Sequence, residues 1–347
     1  MDLLTRKSSE QGRVAIFGAN GHTGRFLVSE LERRGLTPVA VGRSSAKLEG
    51  LGFARRGMAI HEASLDDPAS LDRAFAGVAA VVNCAGPFLE TADAVAAAAL
   101  RAGAHYLDVT AEQPSARAIF ERFDAPARDA GLVVMPAMGF YGGLADLLVT
   151  AALDEWEGAD EIRIGIALDS WHPTKGTRIT GERNTARRLV VADGRLEPLP
   201  SPPAEMDWEF PPPFHRQGMI ELPFSEIVLI SQHVRTAELH TYLNGTALRD
   251  VRDPATPPPE PADETGRSAQ RFLVEAIVRR SGRERRLAAS GQDIYAFSAP
   301  LVCEAVERIL RGESKASGAL APGAAFEARA FLEALAPDLL TLDLAAA

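Results

Sequence analysis

Three closely spaced glycines near the start of the chain have the spacing of a phosphate-binding turn. Gly18, Gly21 and Gly24 follow an apolar run at residues 13–17 and open a segment with helical periodicity. The first glycine permits a tight turn, the second lets backbone approach a pyrophosphate, and the third lets the helix pack closely on the strand. Amide groups at the start of that helix would face the negative charge. This context favours a dinucleotide site over a glycine-rich turn that binds nothing.

The residues after the second predicted strand discriminate between two dinucleotides. A site for NAD usually has an acidic residue there, about 20 residues beyond the glycines, which binds the ribose hydroxyls. This chain instead has Arg43, Ser44 and Ser45, with Lys47 nearby. The Arg43 guanidinium could bind a 2′-phosphate through two parallel hydrogen bonds, and the serine hydroxyl and Lys47 would add to that interaction. The sequence predicts NADP(H), and a solvated Arg43 is the alternative.

Further candidates lie at the carboxyl ends of later strands, where ligands of open α/β sheets bind. These ends are residues 83–87, 108–112 and 137–140. Asp66, just past the third predicted strand, is placed either to contact adenine or to cap the following helix. The residues predicted to bind the cofactor are Gly18, Asn20, Gly21, His22, Thr23, Gly24, Arg43, Ser44, Lys47, Asp66, Ala85, Gly86, Pro87, Asp108 and Thr110.

Three side chains are candidate donors of the proton that accompanies hydride transfer. Hydride addition to C=N, C=O or an activated C=C leaves a newly basic atom, and a nearby proton donor speeds that step. Tyr141 lies among glycines, while His172 and Lys175 follow a predicted strand end. Asp108 and Glu112 would tune the donor or, alternatively, Asp108 would be a strand-end helix cap and Glu112 a charge in the first turn of a helix. Four arginines could meet a substrate carboxylate or form a solvated helix face, namely Arg178, Arg183, Arg187 and Arg188.

Several common catalytic motifs are absent. None of the four tyrosines has a lysine four residues later, so the usual short-chain dehydrogenase chemistry is excluded. The chain has no Gly-x-Ser-x-Gly elbow, no His-Glu-x-x-His zinc motif and no phosphate loop ending in Gly-Lys-Ser/Thr. Cys84 and Cys303 lie in apolar contexts outside metal-site spacing, so we expect buried thiols in a reducing cytoplasm and no metal site.

Strand and helix signals alternate over the first 135 residues, which is typical of a doubly wound parallel sheet. After Gly143 the pattern changes. Residues 161–168 alternate polar and apolar, which predicts a strand with one wet face, and residues 227–230 also look like a strand. Hairpins are predicted at Asp193-Gly194 and Ser281-Gly282. The predicted fold class is α/β, with an N-terminal Rossmann sheet and a second α+β domain of mixed or antiparallel sheet.

The expected domain organisation has three parts. Residues 1–140 form the dinucleotide-binding domain, residues 141–295 the substrate domain, and residues 296–347 a helical tail that returns to the first domain. Proline-rich stretches at residues 198–213 and 254–261 are expected to be loops or extended connectors.

Length, charge and hydropathy limit the possible functions. A chain of 347 residues predicts about two domains. The net charge of −10 argues against a nucleic-acid surface. No apolar run reaches the roughly 18–20 residues of a membrane span, and residues 1–12 lack the apolar stretch of a secretory signal. We expect a small-molecule substrate, no nucleic acid and no membrane span, with the oligomeric state open and a homodimer as one option.

Together the motifs resemble those of the saccharopine dehydrogenase-like oxidoreductases. The likeness covers residues 14–153 and includes the glycine turn, Gly42-Arg43, residues 83–87, 102–112 and 136–140, and Asp146. Two positions depart from the family pattern, since Ala111 stands where glycine is usual and Tyr141 where aspartate is common. The resemblance implies an NADP-binding Rossmann domain followed by a mixed-sheet domain that carries the substrate contacts.

Three functions are consistent with these features. The first is an NADPH-dependent reductase of a small imine, ketone or activated alkene, including amino-acid-like substrates. The second is a trans-acting enoyl reductase of a lipid or polyketide intermediate, whose apolar channel could be lined by Trp171, Trp208, Phe210 and Phe214. The third is a non-catalytic redox sensor that binds NADP(H) and reports through a protein partner.

Overall fold

The computed structural model describes residues 12–344, and their contacts divide the chain into two compact units. The first unit runs to Gly139 and includes Ser298–Leu320, and the second comprises Phe140–Phe297 and the chain from Ala321 onward. The expectation that residues 1–12 lack a secretory signal concerns residues that, apart from Gly12, lie outside the described part of the chain.

The first unit contains a seven-stranded parallel sheet with the order β15-β6-β5-β4-β1-β2-β3. This order confirms the predicted doubly wound sheet, and it places β1 and β4 side by side where the order reverses. The strands are β1 (Arg13–Phe17), β2 (Thr37–Gly42), β3 (Ala59–Glu62), β4 (Ala80–Asn83), β5 (His105–Asp108), β6 (Val133–Met135) and β15 (Gly318–Ala319).

Helices of the first unit connect these strands, and two of them begin at a side-chain cap. The Ser44 hydroxyl accepts a hydrogen bond from the Lys47 amide at 3.4 Å, and the Asp67 carboxylate accepts one from the Ser70 amide at 3.3 Å. Such side-chain caps satisfy amides that the first helical turn leaves unpaired. The helices are α1 (His22–Arg33), α2 (Ser45–Gly50), α3 (Pro68–Phe75), α4 (Phe88–Arg101), α5 (Gln113–Asp129) and, from Ser298 onward, α10 (Ile294–Leu310), with a 3-10 turn at Ala54–Arg56.

The second unit is built on a nine-stranded mixed sheet. Its main order is β10-β11-β12-β7-β13-β14-β16, and β8 and β9 form a hairpin that joins β12. The β12–β7 pair is parallel, whereas the other neighbouring pairs are antiparallel. The strands are β7 (Gly158–Leu168), β8 (Leu189–Ala192), β9 (Arg195–Pro198), β10 (Glu205–Glu209), β11 (Arg216–Glu221), β12 (Arg235–Asn244), β13 (Arg271–Arg280), β14 (Arg283–Gln292) and β16 (Thr341–Asp343).

The predicted tail is divided between the units. Residues 298–320 contact the first unit, where the Arg34 guanidinium donates to the carboxylates of Glu304 at 2.8 Å and Glu307 at 2.6 Å. The last two helices instead pack on α6 in the second unit. The helices of this unit are α6 (Ala145–Leu153), α7 (Lys175–Arg183), α8 (Glu226–Ser231), α9 (Gly245–Arg252), α11 (Pro322–Ala325) and α12 (Ala328–Leu335).

Several local predictions for the second unit were wrong. Residues 227–230 are helical, because short apolar runs do not distinguish a strand from a buried helix, and here all four residues are buried in α8. The proline-rich stretch 198–213 contains β10, whose edge position in the sheet tolerates flanking prolines.

The predicted hairpin turns are present, and Asp193 and Ser281 adopt positive φ values of 48° and 50°.

The predicted wet face of β7 is covered over the second half of the strand. Residues 164–168 are all buried, since β12 and β13 flank the strand and aromatic rings lie on it. A β-carbon on Gly165 would lie 2.7 Å from the Trp208 ring. Glycine at this position lets an indole pack directly on the backbone.

No helix within residues 12–344 is long and apolar enough to cross a lipid bilayer. The same part of the chain holds no group of three or more His, Cys, Asp or Glu side chains that could bind a metal ion.

Candidate functional site

The glycine turn follows β1 and has no room for side chains. Gly18 has a φ of +88°, which is accessible mainly to glycine. A β-carbon on Gly18 would lie 3.0 Å from the β-carbon of Ala85, and one on Gly24 would lie 2.3 Å from the carbonyl oxygen of Gly18. The Gly21 amide donates to that same oxygen at 2.9 Å. The turn therefore has the close backbone packing that a pyrophosphate cradle requires.

The start of α1 is open to an anion. Its N-cap is Gly21, which has no side chain to satisfy the first amides of the helix. His22 packs edge-on against Phe26 at 5.3 Å, and Thr23 is half-buried. Asn20 is exposed, and its side-chain oxygen lies 3.3 Å from the position of a β-carbon on Gly42. These placements fit the predicted contact between this turn and a phosphate group.

The predicted 2′-phosphate site lies at the end of β2. Arg43 and Lys47 are exposed, and among residues 12–344 neither side chain makes a hydrogen bond or ion pair. The Ser44 hydroxyl is already used as the cap of α2. Sequence reasoning missed Glu62, whose carboxylate accepts from the Ser45 amide at 2.9 Å and from the Ser45 hydroxyl at 3.1 Å. The contact depends on the pairing of β2 with β3, which puts Glu62 in register with Gly42, and the local sequence carried no signal for it.

Asp66 and Asp67 have different roles at the end of β3. Asp67 caps α3, so the capping alternative considered for Asp66 belongs to its neighbour. Asp66 is exposed, and its amide donates to the Ser64 hydroxyl at 3.3 Å. Its carboxylate stays accessible, which keeps the predicted adenine contact open.

Asn83, at the end of β4, holds the loop that contains the predicted residues Ala85, Gly86 and Pro87. Its side-chain oxygen accepts from the Ala85 amide at 3.0 Å, and its amide nitrogen donates to the Thr91 hydroxyl at 3.0 Å. Gly86 is exposed, and Pro87 is the N-cap of α4. The fully buried side-chain amide of Asn83 thus fixes the backbone conformation of this loop.

Asp108 is a fully buried carboxylate at the end of β5. It accepts from the Ala137 amide at 2.8 Å, the Thr110 amide at 3.0 Å and the Tyr106 hydroxyl at 2.9 Å. Burial raises the pKa of Asp108 to about 6, and the two amide hydrogen bonds oppose that rise. Its oxygens thus link the loops after β5 and β6, which favours a positioning role over direct cofactor contact.

The Glu112 side chain caps a helix, a role that neither sequence interpretation gave it. Its carboxylate accepts from the Phe88 amide at 2.7 Å and the Leu89 amide at 3.4 Å, at the start of α4. The hydroxyl of Thr110 in turn accepts from the Glu112 amide at 3.0 Å. Burial raises the pKa of Glu112, and the two amides at the start of α4 limit the rise.

Tyr141 lies in the second unit within a group of aromatic rings. Its ring centroid is 4.2 Å from that of Phe224, 4.9 Å from that of Phe140 and 5.2 Å from that of Trp171. The hydroxyl oxygen is buried and has no hydrogen-bond partner among the described residues. Burial raises the pKa of Tyr141 well above its usual value, so the phenol is neutral and carries its proton.

The other two candidate donors lie in a segment fixed by Tyr295. The Tyr295 hydroxyl accepts from the Trp171 indole nitrogen at 3.0 Å and lies 2.9 Å from the Thr177 hydroxyl. His172 is half-buried, and Lys175 is the exposed first residue of α7. Sequence reasoning missed Tyr295, because the segment that it holds lies more than a hundred residues earlier.

The four candidate arginines have different surroundings. Arg183 and Arg187 are exposed, and Arg178 donates to the carbonyl of Thr256 at 2.7 Å. Arg188 lies further inside, where its guanidinium carbon is 4.8 Å from the Phe224 ring centroid. The helix that carries Arg178 ends at Arg183, so Arg188 lies outside that helix and directly precedes β8.

Three of the four rings proposed for an apolar channel fill the core. Trp208, Phe210 and Phe214 are buried in a cluster with Met219 and Tyr242. The Trp208 indole nitrogen donates to the Glu275 carboxylate at 2.6 Å. This cluster packs on the sheet of the second unit and does not line a channel.

Asp146, noted in the family resemblance, is buried at the start of α6. One carboxylate oxygen lies 2.7 Å from the His233 Nε2 and the other accepts from the Gly323 amide at 2.6 Å. These contacts join α6 to the loop after α8 and to α11. The role that they support is structural.

Comparisons with known proteins support the same division of the chain. The family model described as the saccharopine dehydrogenase NADP binding domain matches residues 14–135. A probable mitochondrial saccharopine dehydrogenase-like oxidoreductase of Arabidopsis thaliana is 29% identical over 151 residues, covering 39% of this chain and 33% of that protein. The human saccharopine dehydrogenase-like oxidoreductase is 27% identical over 152 residues, covering 39% and 35%. The match spans about a third of the length of these curated relatives.

A further relative and one solved structure extend the comparison. The trans-acting enoyl reductase of Mycobacterium bovis is 28% identical over 142 residues, covering 39% of this chain and 34% of that protein. The apo structure of saccharopine dehydrogenase (L-Glu forming) from Saccharomyces cerevisiae has a TM-score of 0.68 at 12% identity and covers 96% of this chain and 99% of that chain. The structural match shows a shared fold. These findings confirm the predicted resemblance and the prediction of NADP(H), which the family match supports over residues 14–135.

Proposed function

We propose that this chain is an NADPH-dependent oxidoreductase that transfers a hydride to a small imine, ketone or activated alkene. The observation that carries the proposal is the glycine turn, where Gly18 and Gly24 exclude side chains and α1 starts without a side-chain cap. A bound nicotinamide cofactor supplies the hydride. The protein supplies binding, orientation and a proton.

Cofactor binding is assigned to the first unit. The amides of the turn and of the start of α1 would hold the pyrophosphate, and Arg43 with Lys47 would hold the 2′-phosphate. Asp66 is the proposed adenine contact. The loop of residues 85–87 would lie along the cofactor, and Asn83 and Asp108 support that role by fixing the backbone of the surrounding loops.

Tyr141 is the proton donor that the observations support best. Its hydroxyl is buried, protonated and not bound by another side chain within residues 12–344. Proton donation leaves a phenolate, which the positive charge of Arg188 would stabilise, since that charge already lowers the pKa of Tyr141 against the effect of burial. His172 and Lys175 are the alternative donors, held in place by Tyr295.

The second candidate function is a trans-acting enoyl reductase of a lipid or polyketide intermediate. The similarity of the first unit to the Mycobacterium bovis protein of that name favours it. The buried positions of Trp208, Phe210 and Phe214 leave Trp171 as the remaining member of the proposed channel lining.

Stopped-flow oxidation of bound NADPH tests the proposal directly. Panels of imines, ketones and enoyl thioesters are mixed with the protein, and rapid loss of NADPH absorbance with one class identifies the substrate chemistry. Tight NADPH binding without turnover on any panel would contradict the reductase proposal and support the redox sensor instead.

The location and assembly of the chain are also proposals. The free thiols of Cys84 and Cys303 support a reducing, cytoplasmic environment. Size-exclusion chromatography with light scattering tests the homodimer.

A further inference from the structure

Arg188 is a largely covered cation that forms no ion pair with an acid among the described residues. One terminal nitrogen, Nη1, donates to the Pro223 carbonyl at 2.5 Å, and the guanidinium lies over the Phe224 ring. Among residues 12–344 no carboxylate comes within ion-pair distance of it. Burial lowers the pKa of Arg188, but an arginine in a protein keeps its charge. Arginines that are covered to this degree are normally paired with an anion.

Because Nη1 is the nitrogen that binds the Pro223 carbonyl, the edge of the Arg188 guanidinium formed by Nε and Nη2 stays available. Nε and Nη2 make no hydrogen bond to the described protein, and these two nitrogens form the edge that matches the two oxygens of a carboxylate. The aromatic ring and the Pro223 carbonyl hold this edge in one orientation. A fixed guanidinium with a free edge binds a carboxylate with little loss of side-chain entropy.

Tyr141 provides a second and independent sign of a missing ligand. Its ring packs on Phe224, the same ring that carries Arg188, and its buried hydroxyl has no partner among the described residues. Buried hydroxyls are normally hydrogen-bonded, so an unpaired one beside an unpaired cation indicates that a polar group completes this region. Trp171 contributes a further aromatic surface at 5.2 Å from the Tyr141 ring.

Glu226 is the acid that interacts electrostatically with Arg188, although the two side chains form no ion pair. One of its oxygens accepts from the Phe224 amide at 2.8 Å. Burial raises the pKa of Glu226, and the charge of Arg188 opposes that rise. The other Glu226 oxygen has no hydrogen-bond partner among the described residues, so Glu226 does not occupy the free edge of Arg188.

We propose that Arg188 binds the carboxylate of a small organic acid, with Phe224 and Trp171 against its apolar part and the Tyr141 hydroxyl left to protonate the reacting atom. The inference rests on the proposed function, because the bound acid is part of the substrate. Its test needs no cofactor and no turnover, so its failure is distinguishable from failure of the reductase proposal.

Calorimetric titration of the whole chain with a series of straight-chain acids from acetate to octanoate tests the site. We expect saturable binding of at least one acid, and at least about tenfold weaker binding of the matching neutral amide, since a charge-assisted bond is lost. R188M should weaken binding of the acid to the level of the amide, and R188K should fall between the two. R187M is the matched control, because Arg187 is an exposed neighbour that donates to the Leu199 carbonyl. We expect R187M to bind the acid as tightly as the unmodified protein does.

Two results would overturn the proposal. One is equal affinity of the unmodified protein for an acid and its amide, or no binding of any acid in the series. The other is unchanged affinity in R188M with an unchanged circular dichroism spectrum. Because the acid–amide comparison uses the unmodified protein, the test does not depend on the folding of R188M.

Discussion

The candidate regions of the two units differ in how their buried polar side chains are satisfied. In the first unit, Asn83, Asp108 and Glu112 bind backbone amides of neighbouring loops. In the second unit, the Tyr141 hydroxyl and one edge of Arg188 have no partner among the described residues. Because buried polar groups are normally paired within the protein, the first region is a complete scaffold and the second is complete only with a ligand.

This difference corresponds to two modes of recognition. A dinucleotide can be held largely by backbone amides, so the side chains around it serve to fix the loops. A variable substrate has to be recognised by side chains, which need donors that the protein itself leaves unused. Mutations in the first region should therefore lower stability and cofactor affinity together, whereas those in the second should separate stability from function.

The largest expected effect is in the glycine turn. In G24V, the new side chain would start 2.3 Å from the Gly18 carbonyl oxygen, so the turn must shift. We expect NADPH affinity to fall by about 100-fold or more and the unfolding free energy to fall by about 1–3 kcal/mol. Calorimetry and thermal denaturation measure the two effects. G50A is the control, since a β-carbon there meets no atom within 4 Å. Unchanged NADPH binding in G24V would remove the turn from the cofactor site.

Asp108 should make stability depend on pH. Burial raises its pKa from 3.8 to about 6, so the folded protein holds this proton more tightly than the unfolded chain. Its contribution to the unfolding free energy therefore falls as pH rises from about 4 to about 6, by roughly 3 kcal/mol in total. Urea denaturation across this range should show that fall, and D108N should lack it. The exposed acid Asp72 provides a control, D72N, and an unchanged slope in D108N would contradict the assignment.

Tyr141 should separate stability from turnover. Y141F removes a buried hydroxyl that has no hydrogen-bond partner within residues 12–344, so we expect the unfolding free energy to stay constant or rise by about 1 kcal/mol. NADPH oxidation should slow by about 100-fold if this residue is the proton donor. Y242F, in the core cluster of the second sheet, is the control. A marked loss of stability in Y141F would show that the hydroxyl has a partner after all.

Arg43 should determine which dinucleotide is preferred. Without its guanidinium, R43A should bind NADPH about tenfold more weakly while NADH binding stays the same. Fluorescence titrations with both cofactors measure the ratio, and R117A, an exposed arginine on α5, serves as the control. Equal losses for the two cofactors would refute the 2′-phosphate assignment.

The smallest effect is expected at Tyr295. Y295F removes the hydroxyl that receives hydrogen bonds from the Trp171 indole and the Thr174 amide. We expect a loss of about 1 kcal/mol of stability, together with faster amide exchange over residues 171–177. Mass spectrometry of hydrogen exchange shows where protection is lost. Unchanged protection of this segment would mean that other contacts hold it.

Local sequence patterns predicted much of the first unit. The glycine turn depends on residues within a few positions of each other, so spacing alone reveals it. Glu62 escaped prediction because its contact with Ser45 crosses from one strand to the next. The two-residue strand β15 also escaped, since so short a segment becomes a strand only when it pairs with β6.

The second unit was harder to predict, because its elements depend on distant partners. Residues 227–230 fold as a helix despite a strand-like composition, and Gly165 is covered by rings from about forty residues further along the chain. The order of the strands in the sheet decides whether such residues are buried, and short-range periodicity in the sequence does not reveal that order.

The amino-acid sequence by itself determined the doubly wound sheet, the dinucleotide turn and the preference for NADP(H), since each follows from residue types at short spacing. Only the tertiary structure decided which candidate side chains are satisfied and which are free to act. Asp108 and Glu112 accept hydrogen bonds from backbone amides. Tyr141 and Arg188 both pack against the Phe224 ring and have hydrogen-bond donors without a partner among the described residues. Hydrogen-bond saturation depends on contacts between residues far apart in the chain, and such contacts exist only once the chain has folded.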